Sequence, residues 1–95
     1  MKEVYIRIKG RVQGIGFRYW AINKAREIGG ISGWVHNAAD GSVEILMSGE
    51  ESQVDEMILA CHQGPQLARV DTVDFIVGRR SSFLPEVEAG VFKRA

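Results

Sequence analysis

Val4, Ile6 and Ile8 alternate with Tyr5, Arg7 and Lys9, the period-two pattern of a strand with one buried face. The period then changes. Phe17, Ala21, Ala25 and Ile28 stand four, four and three apart, one stripe of an amphipathic helix, and Gly29-Gly30 supplies its stop. Residues 31–37 and 42–48 read as two strands joined by Ala38-Ala39-Asp40-Gly41, a hairpin with Asp-Gly at its end. Val54, Met57, Ile58 and Cys61 then predict a second helix over roughly 51–63, because they fall at i, i+3, i+4 and i+7. Glu50, Glu51, Asp55 and Glu56 crowd its first turns, where negative charge meets the positive end of the helix dipole. Gly64-Pro65 ends it, Val70 to Val77 gives a further strand, and Val91-Phe92 is the candidate for a short C-terminal edge strand.

The order strand, helix, strand, strand, helix, strand predicts an α+β sandwich. In this split βαβ arrangement two helices pack on one face of an antiparallel sheet. The 95 residues contain no linker, low-complexity run or repeat, so residues 1–95 read as one free-standing domain. Many unrelated functions use this architecture, and chemistry has to be argued from particular residues.

Charge narrows the classes. Lys+Arg and Asp+Glu are both 12, which argues against a nucleic-acid partner, since such binders carry a basic excess. The balance hides an asymmetry: residues 1–37 hold seven Lys/Arg and two Asp/Glu, net +5, whereas residues 38–95 hold five and ten, net −5. A single cysteine, Cys61, excludes an intramolecular disulfide and a cysteine-only zinc site. His36 and His62 lie far apart in sequence, so no metal site is expected. No run approaches the ~20 apolar residues of a membrane helix, and the N-terminus lacks the apolar run of a signal peptide. The expectation is a cytoplasmic monomer with no membrane contact.

The most informative segment is Gly10-Arg11-Val12-Gln13-Gly14-Ile15-Gly16-Phe17-Arg18. A glycine-rich turn between strand and helix lets consecutive N–H groups converge on an anion, and the helix N-terminus adds partial positive charge. Arg18 begins that helix, and its planar fork of donors suits a phosphate. The Walker pattern fails, because Ile15-Gly16-Phe17 stands where Gly-Lys-Ser/Thr is required. The dinucleotide pattern fails at Tyr19, where a third glycine belongs. Taken alone, the glycines read first as a turn that merely reconnects strand and helix, and Arg18 serves equally well as a solvated first-turn residue.

Two segments together decide more. That loop, with Gly33-Trp34-Val35-His36-Asn37 and Asp40-Gly41-Ser42-Val43-Glu44, resembles the two signatures of the acylphosphatase family. Gly64-Pro65-Gln66-Leu67-Ala68-Arg69-Val70 resembles the same family's connection from second helix to last strand. The resemblance implies a ferredoxin-like fold, in agreement with the element order, and hydrolysis of the carboxyl–phosphate anhydride of acyl phosphates. It implies that Arg18 binds the phosphoryl group and that Asn37 positions the attacking water. Backbone N–H groups of Gln13, Gly14, Ile15, Gly16 and Phe17 complete the cradle, with phosphate or sulfate as product-like ligand. No metal and no cofactor enter this scheme. Ile15 stands where the family commonly has valine and His36 where arginine is frequent. Strand alternation places His36 on the face opposite Asn37, away from the chemistry.

An acyl phosphate carries a good leaving group, so the demand falls on holding phosphoryl oxygens and aiming water in line. No His, Asp or Glu occurs within Gly10–Tyr19, which leaves the substrate's own phosphate to accept the proton. Two other classes fit the residues less well. An RNA-binding domain of the same architecture needs basic and aromatic motifs on its central strands, and these strands offer only Tyr5 and Phe75. A regulatory anion-binding module has no use for Asn37. Elsewhere, Cys61 is expected as a buried thiol, His62 as a surface residue of the last helical turn, and Trp20 and Trp34 as packing residues rather than an acyl-pocket lining. Arg79-Arg80-Ser81-Ser82 reads as a solvated loop, and Glu86 and Glu88 as part of an exposed strand or tail.

Overall fold

In the computed structural model, residues 1–77 and 87–95 are described, and the alternating segments form one sheet in the order β4-β1-β3-β2-β5. Its strands are β1 (Lys2–Arg11), β2 (Ser32–Asn37), β3 (Val43–Gly49), β4 (Arg69–Val77) and β5 (Phe92–Arg94), with helices α1 (Phe17–Ile28) and α2 (Glu51–Gln63). The first four strands are antiparallel neighbours. The edge strand differs from expectation in position and direction: it covers Phe92–Arg94 and runs parallel to β2. The chain reaches β2 from the opposite edge of the sheet, where β4 lies. Parallel pairing is available to it because parallel strands need such a long crossover rather than a hairpin. Arg79-Arg80-Ser81-Ser82 and Glu86 lie outside the described residues; Glu88 is exposed and pairs with Lys93.

Register explains which side chains share a face. Val4, Ile6 and Ile8 stand opposite Met47, Ile45 and Val43 of β3, and β3 in turn brings Gly33, Val35 and Asn37 into the same rows. This is the helix-covered face, where Phe17, Ala21 and Ala25 of α1 meet Val54, Met57 and Cys61 of α2. Those stripes are the ones the 3.6-residue period selected. Cys61 is fully buried, and burial pushes its thiol up to about 12, so the thiol stays neutral at ordinary pH. The opposite face holds a smaller cluster of Tyr5, Trp34 and Leu46, with Val87 packed against it.

β1 runs further than the alternation suggested. It continues through Gly10 and Arg11 by a register shift after Lys9, and these two residues pair with Val70 and Arg69. A bulge tolerates the glycine where a regular ladder does not. Gly33 is more tightly constrained. Its φ is +152°, and a Cβ there would lie 1.9 Å from the Leu46 carbonyl oxygen. Gly33→Ala is expected to destabilise the fold by about 3 kcal/mol or more, combining backbone strain with a clash the sheet has no room to relieve. A shift of the urea midpoint measures it, and a loss under about 0.5 kcal/mol contradicts this account of the residue.

Candidate active site

The loop between β1 and α1 departs from regular structure at two glycines, Gly14 (φ +74°) and Gly16 (φ +81°). Both left-handed conformations suit glycine, which has no Cβ to clash. Gly16 is the N-cap of α1 and offers no side chain to cap it, and the first turn carries no acidic residue. The open N–H groups of that turn keep their partial positive charge for whatever lies beyond them. α2 contrasts with it, having Glu51 in its first turn.

The hairpin after Asn37 is fixed to this loop. Gln13 Nε2 donates to the carbonyl oxygens of Ala38 (2.8 Å) and Ser42 (2.9 Å). The turn itself closes through Ala38 N–H to Ser42 O at 2.8 Å. Asp40 Oδ1 accepts from the Ser42 hydroxyl at 2.6 Å and its N–H at 2.9 Å. These bonds hold the Asp40 carboxyl below its usual range, the hydroxyl contributing most. On the far face Arg7 reaches Glu44 at 3.0 Å and Asp40 at 3.3 Å. The end of β2 is thereby set against the start of α1.

Between them lies a cavity of about 170 Å³ lined by Gly14, Gly16, Phe17, Arg18 and Asn37, together with Val12, Tyr19 and Arg94. Arg18 is half-buried, and among the described residues it has no ion-pair partner. Asn37 Oδ1 is buried and has no hydrogen-bond partner among the described residues. Burying a polar oxygen unpaired costs free energy, so a site where one persists points to a bound group that satisfies it. An anion and a polar molecule such as water match this donor set. Arginine and N–H groups donate to the first, and the amide oxygen accepts from the second.

Of the residues singled out from sequence, Gln13 and Ile15 do not line the cavity. Gln13 spends its side chain on the hairpin, and Ile15 packs against the main core. Trp34 faces the opposite side of the sheet with Tyr5 and Leu46, whereas Trp20 packs at the core edge with its ring 5.2 Å from that of Phe17. His36 is exposed, with Nδ1 3.3 Å from the Ala95 carbonyl oxygen. Tyr19 and Arg94 line the cavity although neither lies in the two sequence signatures.

The sequence model of the acylphosphatase family matches residues 4–84. The chain belongs to the acylphosphatase family. An acylphosphatase of Nitrobacter winogradskyi is 51% identical over 69 residues, covering 73% of this chain and 69% of that one. An acylphosphatase of Acidiphilium cryptum is 41% identical over 91 residues, 96% of this chain and 93% of its own. The crystal structure of acylphosphatase from Bacillus subtilis superposes with a TM-score of 0.85 at 30% identity, covering 100% and 99% of the two chains. This acylphosphatase is thus a hydrolase acting on an acid anhydride, and the ferredoxin-like order of its elements agrees with that of its relatives. Among the described residues no helix is long and apolar enough to cross a membrane.

Proposed function

We propose that this acylphosphatase hydrolyses its acyl phosphate by in-line attack of a water molecule held by Asn37 on a phosphoryl group held by Arg18 and backbone N–H groups of the Gly14–Arg18 loop. The observation that carries the reading is the buried Asn37 Oδ1, without a hydrogen-bond partner among the described residues, in the same cavity as Arg18 and the start of α1, which has no side-chain cap. The guanidinium and the N–H groups stabilise charge on the equatorial oxygens as the bond to the leaving oxygen breaks. The water oxygen forms the new P–O bond, and the bond from phosphorus to the acyl oxygen breaks with its electron pair. The acyl group departs as a carboxylate, which needs no general acid, and the water proton passes to a phosphate oxygen. Asn37 orients without deprotonating, because an amide oxygen accepts a hydrogen bond but is too weak a base to keep the proton. The family implies a small-molecule acyl phosphate as substrate.

The same reading makes inorganic phosphate or sulfate the product-like ligand and the chain a cytoplasmic monomer acting as one domain over residues 1–95, with no nucleic-acid partner. The balanced total charge supports the last point. The point of attack is the test. Benzoyl phosphate hydrolysed in ¹⁸O-water with a chelator present is expected to place the label in phosphate. Label in benzoate means attack at the carbonyl carbon and overturns the proposed roles of Arg18 and Asn37.

A further inference from the structure

Strand alternation puts Phe92 and Arg94 on the same side of β5, and Phe92 is buried in the main core. Arg94 therefore leaves the sheet on the face covered by α1. Gly33 stands opposite Phe92 and Val35 opposite Arg94, so the next residue of β2 on that face is Asn37. The result is a second guanidinium lining the cavity, supplied from the edge of the sheet. Its setting differs from that of Arg18. Arg18 is half-buried, whereas Arg94 is exposed, as is Tyr19, 76% exposed. Lys93, on the other side of the strand, is engaged by Glu88; Arg94 has no ion-pair partner among the described residues.

We propose that Arg94 is a specificity residue that receives a carboxylate carried by the acyl part of the substrate, so that acyl phosphates of dicarboxylic acids are preferred over neutral ones. This rests on the reading above, in which Arg18 and the loop hold the phosphoryl group. With that group at the α1 terminus, the acyl part extends toward the mouth, where Arg94 and Tyr19 stand. A rim meant for a purely apolar acyl chain gains nothing from a permanently charged guanidinium. A carboxylate there gains a charge-assisted partner whose planar fork can bind both its oxygens. The lining carries Arg18 and Arg94 and, among the described residues, no carboxylate, so it accommodates a second negative charge on the substrate.

The experiment compares kcat/KM for benzoyl phosphate and for meta- or para-carboxybenzoyl phosphate in the wild type, Arg94→Ala and Arg94→Lys. These probes are rigid and cannot cyclise. The wild type is expected to prefer a carboxylated substrate, and Arg94→Ala to lower that preference about fivefold through KM, the upper range for an exposed ion pair. Arg94→Lys retains part of it, and about 0.5 M salt narrows the wild-type preference because exposed charges are screened. An unchanged ratio in Arg94→Ala overturns the proposal. So does an equal loss on both substrates, which assigns Arg94 to the phosphoryl group instead. Failure of the underlying reading shows elsewhere, as turnover of both substrates retained in Arg18→Ala.

Discussion

Arg18→Ala is expected to lower kcat/KM for benzoyl phosphate by about three orders of magnitude, in the range seen when a guanidinium is withdrawn from a transferring phosphoryl group. Arg18 lines the cavity together with backbone N–H groups around Gly14, Gly16 and Phe17, and its positive charge stands half-buried in the first turn of α1, whereas that of Arg94 at the rim is exposed. Inorganic phosphate should compete at correspondingly higher concentration, because the same donors hold product. Arg18→Lys separates charge from shape. An ammonium keeps the charge but loses the planar fork, so activity should recover to under about a tenth of wild type. Folding should survive both changes, since Arg18 is half-buried and makes no ion pair among the described residues, and surface changes usually stay within ~0.5 kcal/mol. Arg18→Ala with near-normal turnover and phosphate affinity sinks the assignment.

How far the chain could be read without coordinates depended on the range of the interactions involved. Val4, Ile6 and Ile8, and the stripes on the two helices, announce their buried face locally, because burial imposes its period on neighbouring residues. The Asp40-Gly41 turn is equally local. Arg18 and Asn37 were legible through the two signatures, and the structure lines one cavity with both. β5 was harder. Three residues carry too little alternation to fix an element, and its parallel register against β2 is decided by residues about sixty positions away. Arg94 inherits that difficulty: nothing in Phe92-Lys93-Arg94 marks a cavity residue until β2 is beside it. Gln13 is a subtler case. It sits inside the recognised loop, but its amide belongs to the hairpin, clamping two carbonyl oxygens there. Trp34 could have been assigned from alternation alone, since Val35 and Asn37 take the helix face and leave Trp34 and His36 to the other.

Asn37→Ala separates catalysis from stability more sharply than any other change here. If Asn37 orients the attacking water, kcat should fall by about two to three orders of magnitude, the loss expected when one aligned polar group is removed. Phosphate affinity should hold within about twofold, because Arg18 and the loop N–H groups are untouched, a difference of under ~0.5 kcal/mol. A residue kept for structure behaves otherwise: removing a satisfied buried amide costs stability. Asn37 Oδ1 is buried with no partner among the described residues, so its removal strands no donor of theirs. The variant should therefore unfold at the same urea concentration as wild type or a higher one. The sign follows from the general cost that active sites impose on stability. The combination is diagnostic, because lost turnover with lost stability identifies a packing residue and full turnover dismisses the water-holding role. Only slow turnover on an intact, phosphate-binding fold fits an amide placed at the end of β2 to aim a water at phosphorus.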